Sequence, residues 1–300
     1  MPSDLHFDQA EDTTDEFQAP SRRPPQVRVE AAGRTHPGKV RENNEDHFLI
    51  ARLCKALRVH ASSLPEDDLD HFAAEEGYLY VVADGMGGAA AGERASAVAI
   101  QTVDAFVLNT VKWFLHLGQH EENALLAELR RCLERADRAV FERAAAEPGL
   151  VGMGTTLTLA YSVGDDLFVV HAGDSRAYLL REHTLHRLTS DHTLAQMMVD
   201  GGLLSPEAAR HDRRRNIVVN VVGGPRPGVQ AEIHKVVLAD GDTLLLCTDG
   251  LSEPVTEERI TSVLARAESP DAACRRLVDL ALDAGGPDNV TAIVARYQID

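Results

Sequence analysis

Several features that mark common protein classes are scarce or missing in this 300-residue sequence. No stretch approaches the roughly 18 consecutive apolar residues of a membrane-spanning helix, so we expect no membrane association. Basic residues are few, since 30 Lys and Arg stand against 47 Asp and Glu, for a formal net charge of −17. A surface of that sign repels polyphosphate backbones, so we expect no nucleic-acid partner.

Cysteine and the common nucleotide and hydrolase motifs are also scarce. The four cysteines, Cys54, Cys132, Cys247 and Cys274, are far apart and form no CxxC pair, which favours buried or free thiols in a reducing compartment. The sequence has no P-loop, no GxGxxG after a strand, no HExxH and no GxSxG. Kinase and Rossmann interpretations therefore lose their main support.

The N-terminal region has no basic start followed by an apolar run, which a signal peptide would need. Residues 1–30 are acidic and then Pro-rich, with almost no apolar periodicity, and they predict a disordered tail. We expect a cytoplasmic protein in which residues 31–300 form a single domain. The apolar fraction of the whole sequence, 44%, is that of an ordinary globular chain.

The periodicity of the remaining chain predicts an α+β protein. Short apolar or alternating runs predict strands at 48–51, 78–83, 156–163, 167–172, 176–181, 242–248 and 290–297. Apolar residues at helical spacing predict helices at 91–117, 122–147, 256–267 and 271–284. Consecutive strands joined by tight turns favour antiparallel hairpins, and this number of strands favours two sheets. Residues 52–77 look like an insertion between two strands.

Three aspartates share one local context. Asp84 and Asp249 each end a predicted strand and precede a glycine, and Asp288 lies just before the last strand. Any one of them alone is more simply a turn residue, because Asp-Gly is a common turn dipeptide. Together they predict a site for hard divalent cations, Mg²⁺ or Mn²⁺, since the set holds neither His nor Cys. Two such ions would activate water, giving a hydrolase without a protein nucleophile.

Two further stretches can contribute to such a site. Arg41 precedes Glu45 and Asp46 just ahead of a strand, so the arginine can bind a phosphate while the carboxylates reach a metal. On its own, this stretch is a mixed-charge turn for which a surface salt bridge is the favoured interpretation. Asp174 lies between two strands, where it is either a metal ligand or an ordinary hairpin residue.

These residues fall in stretches that resemble the protein phosphatase 2C family of metal-dependent serine/threonine phosphatases, in its bacterial form. The matching stretches, spread over roughly residues 34–297, are RENNEDHF (41–48), VVADGMGGAAAGERAS (81–96), GMGTTL (152–157), VHAGDSRAYLLR (170–181), LTSDHTLAQMMVDGGLLSPEAARHDRRRNIV (188–218), LLLCTDGLSEPV (244–255) and GGPDNVTAIVAR (285–296). The resemblance implies a four-layer αββα sandwich, in which two antiparallel sheets are flanked by helices, with residues 31–300 as one catalytic domain.

The resemblance also implies roles for individual residues. Asp84 would bridge two Mn²⁺ or Mg²⁺ ions, and the Gly85 carbonyl would add a ligand to one of them. Asp249 and Asp288 would complete the other. Arg41 matches the arginine that binds the substrate phosphate.

The second metal and a third one draw on other positions. Glu45 and Asp46 match a carboxylate pair that contacts the second metal directly or through water. Asp174 matches a ligand of a third, weaker metal. Residues 188–222 match a mobile flap beside the active site, in which Asn216 lies about where a flap residue can approach that third metal.

Two departures from the family pattern stand out. Position 86 is Met, where animal members carry a histidine proposed as general acid, so the source of the leaving-group proton is open. The flap ends in NVVGG (220–224), where bacterial relatives more often show an arginine and Ala-Leu-Gly, which bears on substrate selection.

The resemblance implies removal of phosphate from serine and threonine of proteins by water activated between two metal ions. Phosphorylated proteins, Ser/Thr kinases among them, would then be the partners. One alternative is a non-catalytic module of the same fold that binds a kinase or regulator. A second alternative is a phosphomonoesterase that acts on small molecules, which the same residues would serve equally well.

Overall fold

The fold contains two antiparallel sheets, seen in a computed structural model that describes residues 27–56, 61, 63, 72–109 and 119–300. The first sheet has five strands in the order β1-β12-β11-β7-β8. Their bounds are β1 Val27–His36, β7 Arg176–Arg181, β8 Thr184–Arg187, β11 Thr243–Cys247 and β12 Val290–Ile299.

The second sheet has seven strands, six of them in the order β10-β6-β5-β3-β4-β9, while β2 pairs with β3 off this path. Their bounds are β2 Asp46–Ala56, β3 Phe72–Met86, β4 Gly154–Thr155, β5 Leu157–Val163, β6 Asp166–Ala172, β9 Val222–Gly223 and β10 Glu232–Val237. The strand β3 is the spine of this sheet, because it pairs with β2, β5 and β4.

Seven α-helices occur in the described residues. They are α1 Ala89–Asn109, α2 Gln119–Ala146, α3 Leu194–Asp200, α4 Pro206–Ala209, α5 Asp249–Ser252, α6 Glu257–Arg266 and α7 Pro270–Asp283. The helices α1 and α2 cover the outer face of the second sheet, and α5, α6 and α7 cover that of the first. None of the helices in this described part is long and apolar enough to cross a bilayer.

Side-chain alternation along the central strands builds the layers. In β3, Leu79 and Val81 pack toward α1 and α2, whereas Tyr80 and Val82 pack between the two sheets. Because successive side chains of a strand point to opposite faces, one apolar strand can serve both layers. The four-layer αββα architecture predicted from the sequence is confirmed.

Local signals explain where the predicted helices begin and end. Ser269 caps α7 by accepting a hydrogen bond from the backbone of Ala272, and Pro270 occupies the first turn. The helix ends just before the Gly285–Gly286 pair that the sequence marks as a stop. The predicted helix over 91–117 is described only as far as Asn109.

Two boundary predictions need correction. Residues 27–30, predicted as the end of a disordered tail, belong to β1, which pairs along its whole length with β12. The rest of the predicted tail lies outside the described residues. The ends of the predicted insertion, 52–56 and 72–77, extend the β2–β3 hairpin, and most of the stretch between them is likewise outside the described part.

Candidate metal centre

The topology brings the acidic side chains to one edge of the sandwich. In the β2–β3 hairpin, Asp46 lies directly opposite Asp84. In the facing sheet, β11 and β12 are antiparallel neighbours, so Asp249 after the end of β11 lies near Asp288 before the start of β12. Asp174 follows β6 and precedes β7, at the point where the chain passes from one sheet to the other. Each of these aspartates therefore lies within two residues of the end of a strand.

Threonines of the first sheet hold Asp46 of the second. Asp46 Oδ2 accepts hydrogen bonds from Thr248 Oγ1 at 2.8 Å and from Thr291 Oγ1 at 2.7 Å. Asp46 is 3% exposed, and its other oxygen, Oδ1, is buried without a hydrogen-bond partner. Asp249 Oδ1 is also buried and unpartnered. Buried carboxylate oxygens normally have partners, so these two oxygens fit a bound cation.

Mutual repulsion and burial both disfavour charged carboxylates here. Burial, with added repulsion from neighbouring carboxylates, raises the pKa of Asp46 to about 7 and that of Asp249 to about 6. The pKa of Asp174 is raised to about 8 for the same two reasons, chiefly burial. Burial and the neighbouring carboxylates, Asp46 first among them, raise the pKa of Asp84 well above its usual range. A divalent cation would relieve this repulsion, and an all-oxygen donor set suits Mg²⁺ or Mn²⁺.

Backbone packing fixes the position of Asp84. Its amide donates to Thr156 Oγ1 at 2.9 Å, and its carbonyl accepts from Thr155 Oγ1 at 2.8 Å and from the Thr156 amide at 2.9 Å. The next residue is glycine for a steric reason, since a Cβ at Gly85 would collide with the carbonyl of Gly92 in α1. The expected close backbone approach beside the aspartate is therefore present.

Close approach also brings the Asp249 turn against the Asp288 loop. A Cβ at Gly250 would collide with the carbonyl oxygen of Asn289. Only glycine therefore lets these two segments meet at the observed spacing. The glycines after Asp84 and Asp249 therefore pack backbone against backbone rather than forming isolated surface turns.

Asn289 fastens the loop that carries Arg41 and Glu45. Its Oδ1 accepts from the Glu45 amide at 2.8 Å, and its Nδ2 donates to the carbonyls of Pro37 at 2.9 Å and Asn43 at 2.8 Å. Burial raises the pKa of the Glu45 carboxyl, the charge of Arg41 opposes this increase, and the charges of Asp288 and Glu93 add to it. The side-chain amide of Asn289 thus joins the segment before β2 to the segment before β12.

Arg41 lies at the exposed side of the acidic cluster. Its Nη2 donates to Asp288 Oδ2 at 2.8 Å, and the two side chains are 58% and 37% exposed. The exposed guanidinium keeps further N–H groups free for a ligand after this contact. The surface salt bridge that the local sequence favours is present, and its acidic partner, Asp288, belongs to the candidate metal centre.

No hydrogen bond between Asn216 and the acidic cluster occurs among the described residues. Asn216 ends a short 3₁₀ helix, Arg213–Asn216, and it is exposed. Its side chain makes no hydrogen bond to any residue in the described part of the chain. The structure therefore adds no support for a role at a third metal.

Sequence reasoning missed the neutral side chains that position the carboxylates. Thr248, Thr291 and Thr156 fix Asp46 and Asp84 through their hydroxyl groups. A signal was available, because two of these threonines lie within three residues of a predicted ligand, in CTDG and DNVT. Their bonding partners, however, are far away in sequence.

A second cluster of possible metal-binding side chains lies beside the turn that follows β6. Among the described residues, ligand atoms of His171, His192 and Glu232 all lie within 4.8 Å of one another. Their nitrogen atoms are already used, because His192 Nδ1 accepts from the Gly173 amide at 3.1 Å and its Nε2 lies 2.9 Å from Glu232 Oε2. His171 Nε2 lies 3.1 Å from the carbonyls of Gly173 and Ser190, so it donates.

The ring geometry of this group argues against a metal ion there. The two imidazole rings are stacked, with centroids 4.8 Å apart and planes at 29°. Lone pairs in the planes of stacked rings do not converge on one ion. Burial lowers the pKa of His171 to about 4, so it remains neutral. The group therefore supports the turn before Asp174 by hydrogen bonds.

Comparisons with known proteins agree with this geometry. A sequence profile of the family described as protein phosphatase 2C matches residues 57–280. The serine/threonine protein phosphatase PstP of Mycobacterium tuberculosis is 37% identical over 265 residues, which cover 88% of this chain and 44% of PstP. The serine/threonine phosphatase stp of Listeria monocytogenes is 30% identical over 272 residues, which cover 90% of this chain and 97% of that protein.

Solved structures extend the likeness to three dimensions. The crystal structure of the catalytic domain of PstP in complex with two manganese ions superposes with a TM-score of 0.70 at 34% identity, covering 91% of this chain and 99% of that one. The match to this chain covers less than half, 44%, of the length of full PstP. The matched region of that relative includes its metal-binding catalytic domain.

Proposed function

Because the chain belongs to the protein phosphatase 2C family, we propose that it is a metal-dependent phosphatase that removes phosphate from serine and threonine of proteins. The observation that carries this proposal is the meeting of aspartates from both sheets at one edge of the sandwich, where carboxylate oxygens of Asp46 and Asp249 are buried without hydrogen-bond partners. The two manganese ions bound by PstP support two Mn²⁺ or Mg²⁺ ions in this chain. A third would lie near Asp174.

The proposed ligands divide between the two sheets. Asp84 and the Gly85 carbonyl come from the second sheet, and Asp249 and Asp288 from the first, with Glu45 and Asp46 beside them. When bound, two divalent cations would neutralise charge on the phosphoryl oxygens and lower the pKa of water enough to supply a nucleophile at neutral pH. The threonine hydroxyls keep Asp46 in place before any ion arrives, because both of its contacts come from rigid strand ends.

Arg41 would orient the substrate. Its guanidinium lies beside Asp288, and the planar fork of N–H donors matches two phosphate oxygens. Met86, at the end of β3, has no proton to give. The leaving oxygen must therefore take its proton from water or from another group.

The direct test measures turnover of a phosphothreonine peptide with Mn²⁺, with Mg²⁺ and with EDTA. We expect turnover with either cation and none with EDTA. A parallel panel of phosphorylated metabolites distinguishes the small-molecule alternative, which predicts faster turnover of metabolites than of the peptide. The non-catalytic alternative predicts no turnover of any substrate under metal-replete conditions.

Two finer proposals concern the cellular setting. All four cysteines are free in the structure, which favours a reducing compartment such as the cytoplasm. Ser/Thr kinases are the proposed partners, since an enzyme that removes protein phosphate opposes the enzymes that add it. Dephosphorylation of a phosphorylated kinase domain by the purified protein tests this partner. If the protein hydrolysed a phosphopeptide from that domain but not the folded domain, the kinase would not be a substrate.

Replacing Arg41 by Ala should lower kcat/KM for a phosphopeptide. A lost hydrogen bond to a charged group is worth about 1.5–3 kcal/mol, which corresponds to roughly tenfold to 150-fold. Arg41→Lys should recover part of this loss, because lysine keeps the charge but not the fork. Steady-state kinetics with Mn²⁺ measure the effect, most of it in KM.

The matched control is Arg275→Ala. Arg275 is also exposed and paired with an aspartate, Asp271, but it lies on α7 in the outer helical layer. Its kinetics should equal those of the wild type. Equal kinetics for Arg41→Ala would show that Arg41 does not contact the phosphate.

A further inference from the structure

Arginines are concentrated in one short part of the segment 188–222. Arg210, Arg213, Arg214 and Arg215 lie within six residues, with Asp212 as the single acidic residue among them. The whole chain, in contrast, carries 47 acidic against 30 basic residues. We call these four residues the arginine cluster. Its local charge is opposite to that of the chain as a whole.

Not all of this charge is neutralised by neighbours. Arg214 pairs with Asp212 at 2.7 Å, and Arg215 pairs with Glu253 at 2.7 Å. Within the described residues, the side chains of Arg210 and Arg213 have no carboxylate within 4.0 Å, and both residues are exposed. Arg210 lies near enough to Glu258 to contribute to the lowered pKa of that carboxyl, but it forms no ion pair with it, so the guanidinium groups of Arg210 and Arg213 both remain open to a partner.

The cluster is attached to the rim of the candidate metal centre. The Arg215–Glu253 ion pair connects it to the end of α5, where the Glu253 amide donates to the Asp249 carbonyl at 2.8 Å. On the other side of the segment, the Val219 amide donates to the His192 carbonyl at 2.8 Å. His192 in turn accepts from Gly173, next to Asp174. The segment is thus joined to the turn that carries Asp249 and to the turn that carries Asp174.

Exposed apolar side chains accompany the arginines. In the described part of the chain, the large hydrophobic residues that remain exposed include Met197, Leu203, Ile217 and Val219, which are 57%, 74%, 48% and 47% exposed. Ile217 and Val219 follow the cluster directly in sequence. A surface that joins apolar groups to unpaired guanidinium groups is typical of a peptide-binding site.

We propose that the arginine cluster, together with Ile217 and Val219, binds the polypeptide that flanks the phosphorylated residue and selects acidic segments. This rests on the proposed phosphatase function and adds the class of substrate. An acidic peptide is repelled by a chain of net charge −17, so the cluster is where attraction is concentrated. Carboxylates or a second phosphate would supply the anions that pair with Arg210 and Arg213.

The test compares three phosphothreonine peptides of equal length, measured as kcat/KM with Mn²⁺. The residues that flank phosphothreonine are Asp and Glu in the first, Asn and Gln in the second, and neutral residues with one further phosphothreonine in the third. Two rim-exposed ion pairs should give the wild type a preference of about fivefold to twentyfold for an anionic peptide over the neutral one. The ratio between the first and third peptides shows whether carboxylate or phosphate is the better anion, and higher salt should lower both preferences.

Variants connect this preference to the cluster. In Arg210→Gln/Arg213→Gln the ratio of acidic to neutral peptide should fall to about one, and Arg210→Lys/Arg213→Lys should retain most of it. The matched control is Arg275→Gln/Arg276→Gln, two adjacent exposed arginines on α7, which should keep the wild-type ratio.

The outcomes separate this proposal from the one on which it rests. Equal rates for all three wild-type peptides, with turnover present, overturn the selection of acidic segments and leave the phosphatase function standing. An unchanged preference in the Gln variant also overturns it. The absence of turnover of p-nitrophenyl phosphate and of every peptide with Mn²⁺ overturns the phosphatase function itself.

Discussion

Replacing Asp84 by Asn should stabilise the metal-free protein while abolishing its response to Mn²⁺. The half-buried carboxyl of Asp84 has a pKa raised by burial and by Asp46, Asp249 and other carboxylates, so its charged form is unfavourable without a cation. Asn removes that charge at nearly constant volume. The melting temperature in EDTA should rise by several degrees, since about 1 kcal/mol shifts it by about 2–4 °C in a domain of this size.

The same substitution should remove function. Two bound divalent cations would contribute several kcal/mol of transition-state stabilisation, so losing the ligand that we propose they share should lower kcat/KM about a thousandfold or more. Mn²⁺ at 100 times its Kd should stabilise the wild type by about 2.7 kcal/mol, and its melting temperature should rise accordingly. Asp84→Asn should show no such gain.

Asp104→Asn is the matched control, because Asp104 is an exposed aspartate on α1 outside the acidic cluster. Its melting temperature and its response to Mn²⁺ should match those of the wild type. If Asp84→Asn kept the Mn²⁺-dependent stabilisation, or lost stability in EDTA, Asp84 would not be a ligand in a repulsive cluster.

The stability of the metal-free protein should fall as pH rises from about 6 to 8. Burial and neighbouring carboxylates raise the pKa to about 6 for Asp249, about 7 for Asp46 and about 8 for Asp174, against values near 3.9 in an unfolded chain. In this pH range the folded state binds more protons than the unfolded state. The free energy of unfolding therefore decreases as pH increases. The stability that protonation of these carboxyls provides is fully present only below about pH 4, and it is lost as pH rises through their folded-state pKa values.

Saturating Mg²⁺ should remove this pH dependence, because the metal-bound folded state and the unfolded state then bind equal numbers of protons at these carboxyls. Metal binding displaces the protons that the folded carboxyls retain, so the apparent affinity should increase with pH across the same range. The buried His171, whose pKa is lowered from 6.5 to about 4, opposes this trend near pH 6, because the unfolded chain protonates this imidazole and the folded state does not. The three carboxyls together outweigh this single group, and between pH 7 and 8 its contribution is small. Thermal unfolding at pH 6, 7 and 8, in EDTA and in Mg²⁺, measures both trends. A metal-free melting temperature that rises with pH would contradict the mutual repulsion of these carboxylates.

The central strands and outer helices were predictable because their residues carry periodic patterns. Leu79 to Val82 alternate between two apolar layers and read as a buried strand in the sequence. The first strand was missed, since Val27, Val29 and Ala31 alternate with Arg28 and Glu30 directly after a Pro-rich stretch. Its pairing with β12 joins residues more than 250 positions apart, which a local pattern does not show.

The candidate site was predictable as a set of residue types but not as an arrangement. Asp84, Asp249 and Asp288 stand out because each lies at a strand end, yet each alone reads as a turn. Their convergence depends on the β2–β3 register and on contacts such as Thr291 to Asp46, which are 245 residues apart. The ion pair between Arg41 and Asp288 has the same non-local origin, at a separation of 247 residues.

Anomalous diffraction at the manganese absorption edge, from crystals of this protein grown with Mn²⁺, examines the shared cation site itself. We predict two strong peaks in the cleft between the sheets, both within ligand distance of Asp84 and one of them also of Asp249 and Asp288. Crystals soaked to saturation that show these carboxylates without a peak between them would contradict the metal centre, and with it the proposed chemistry.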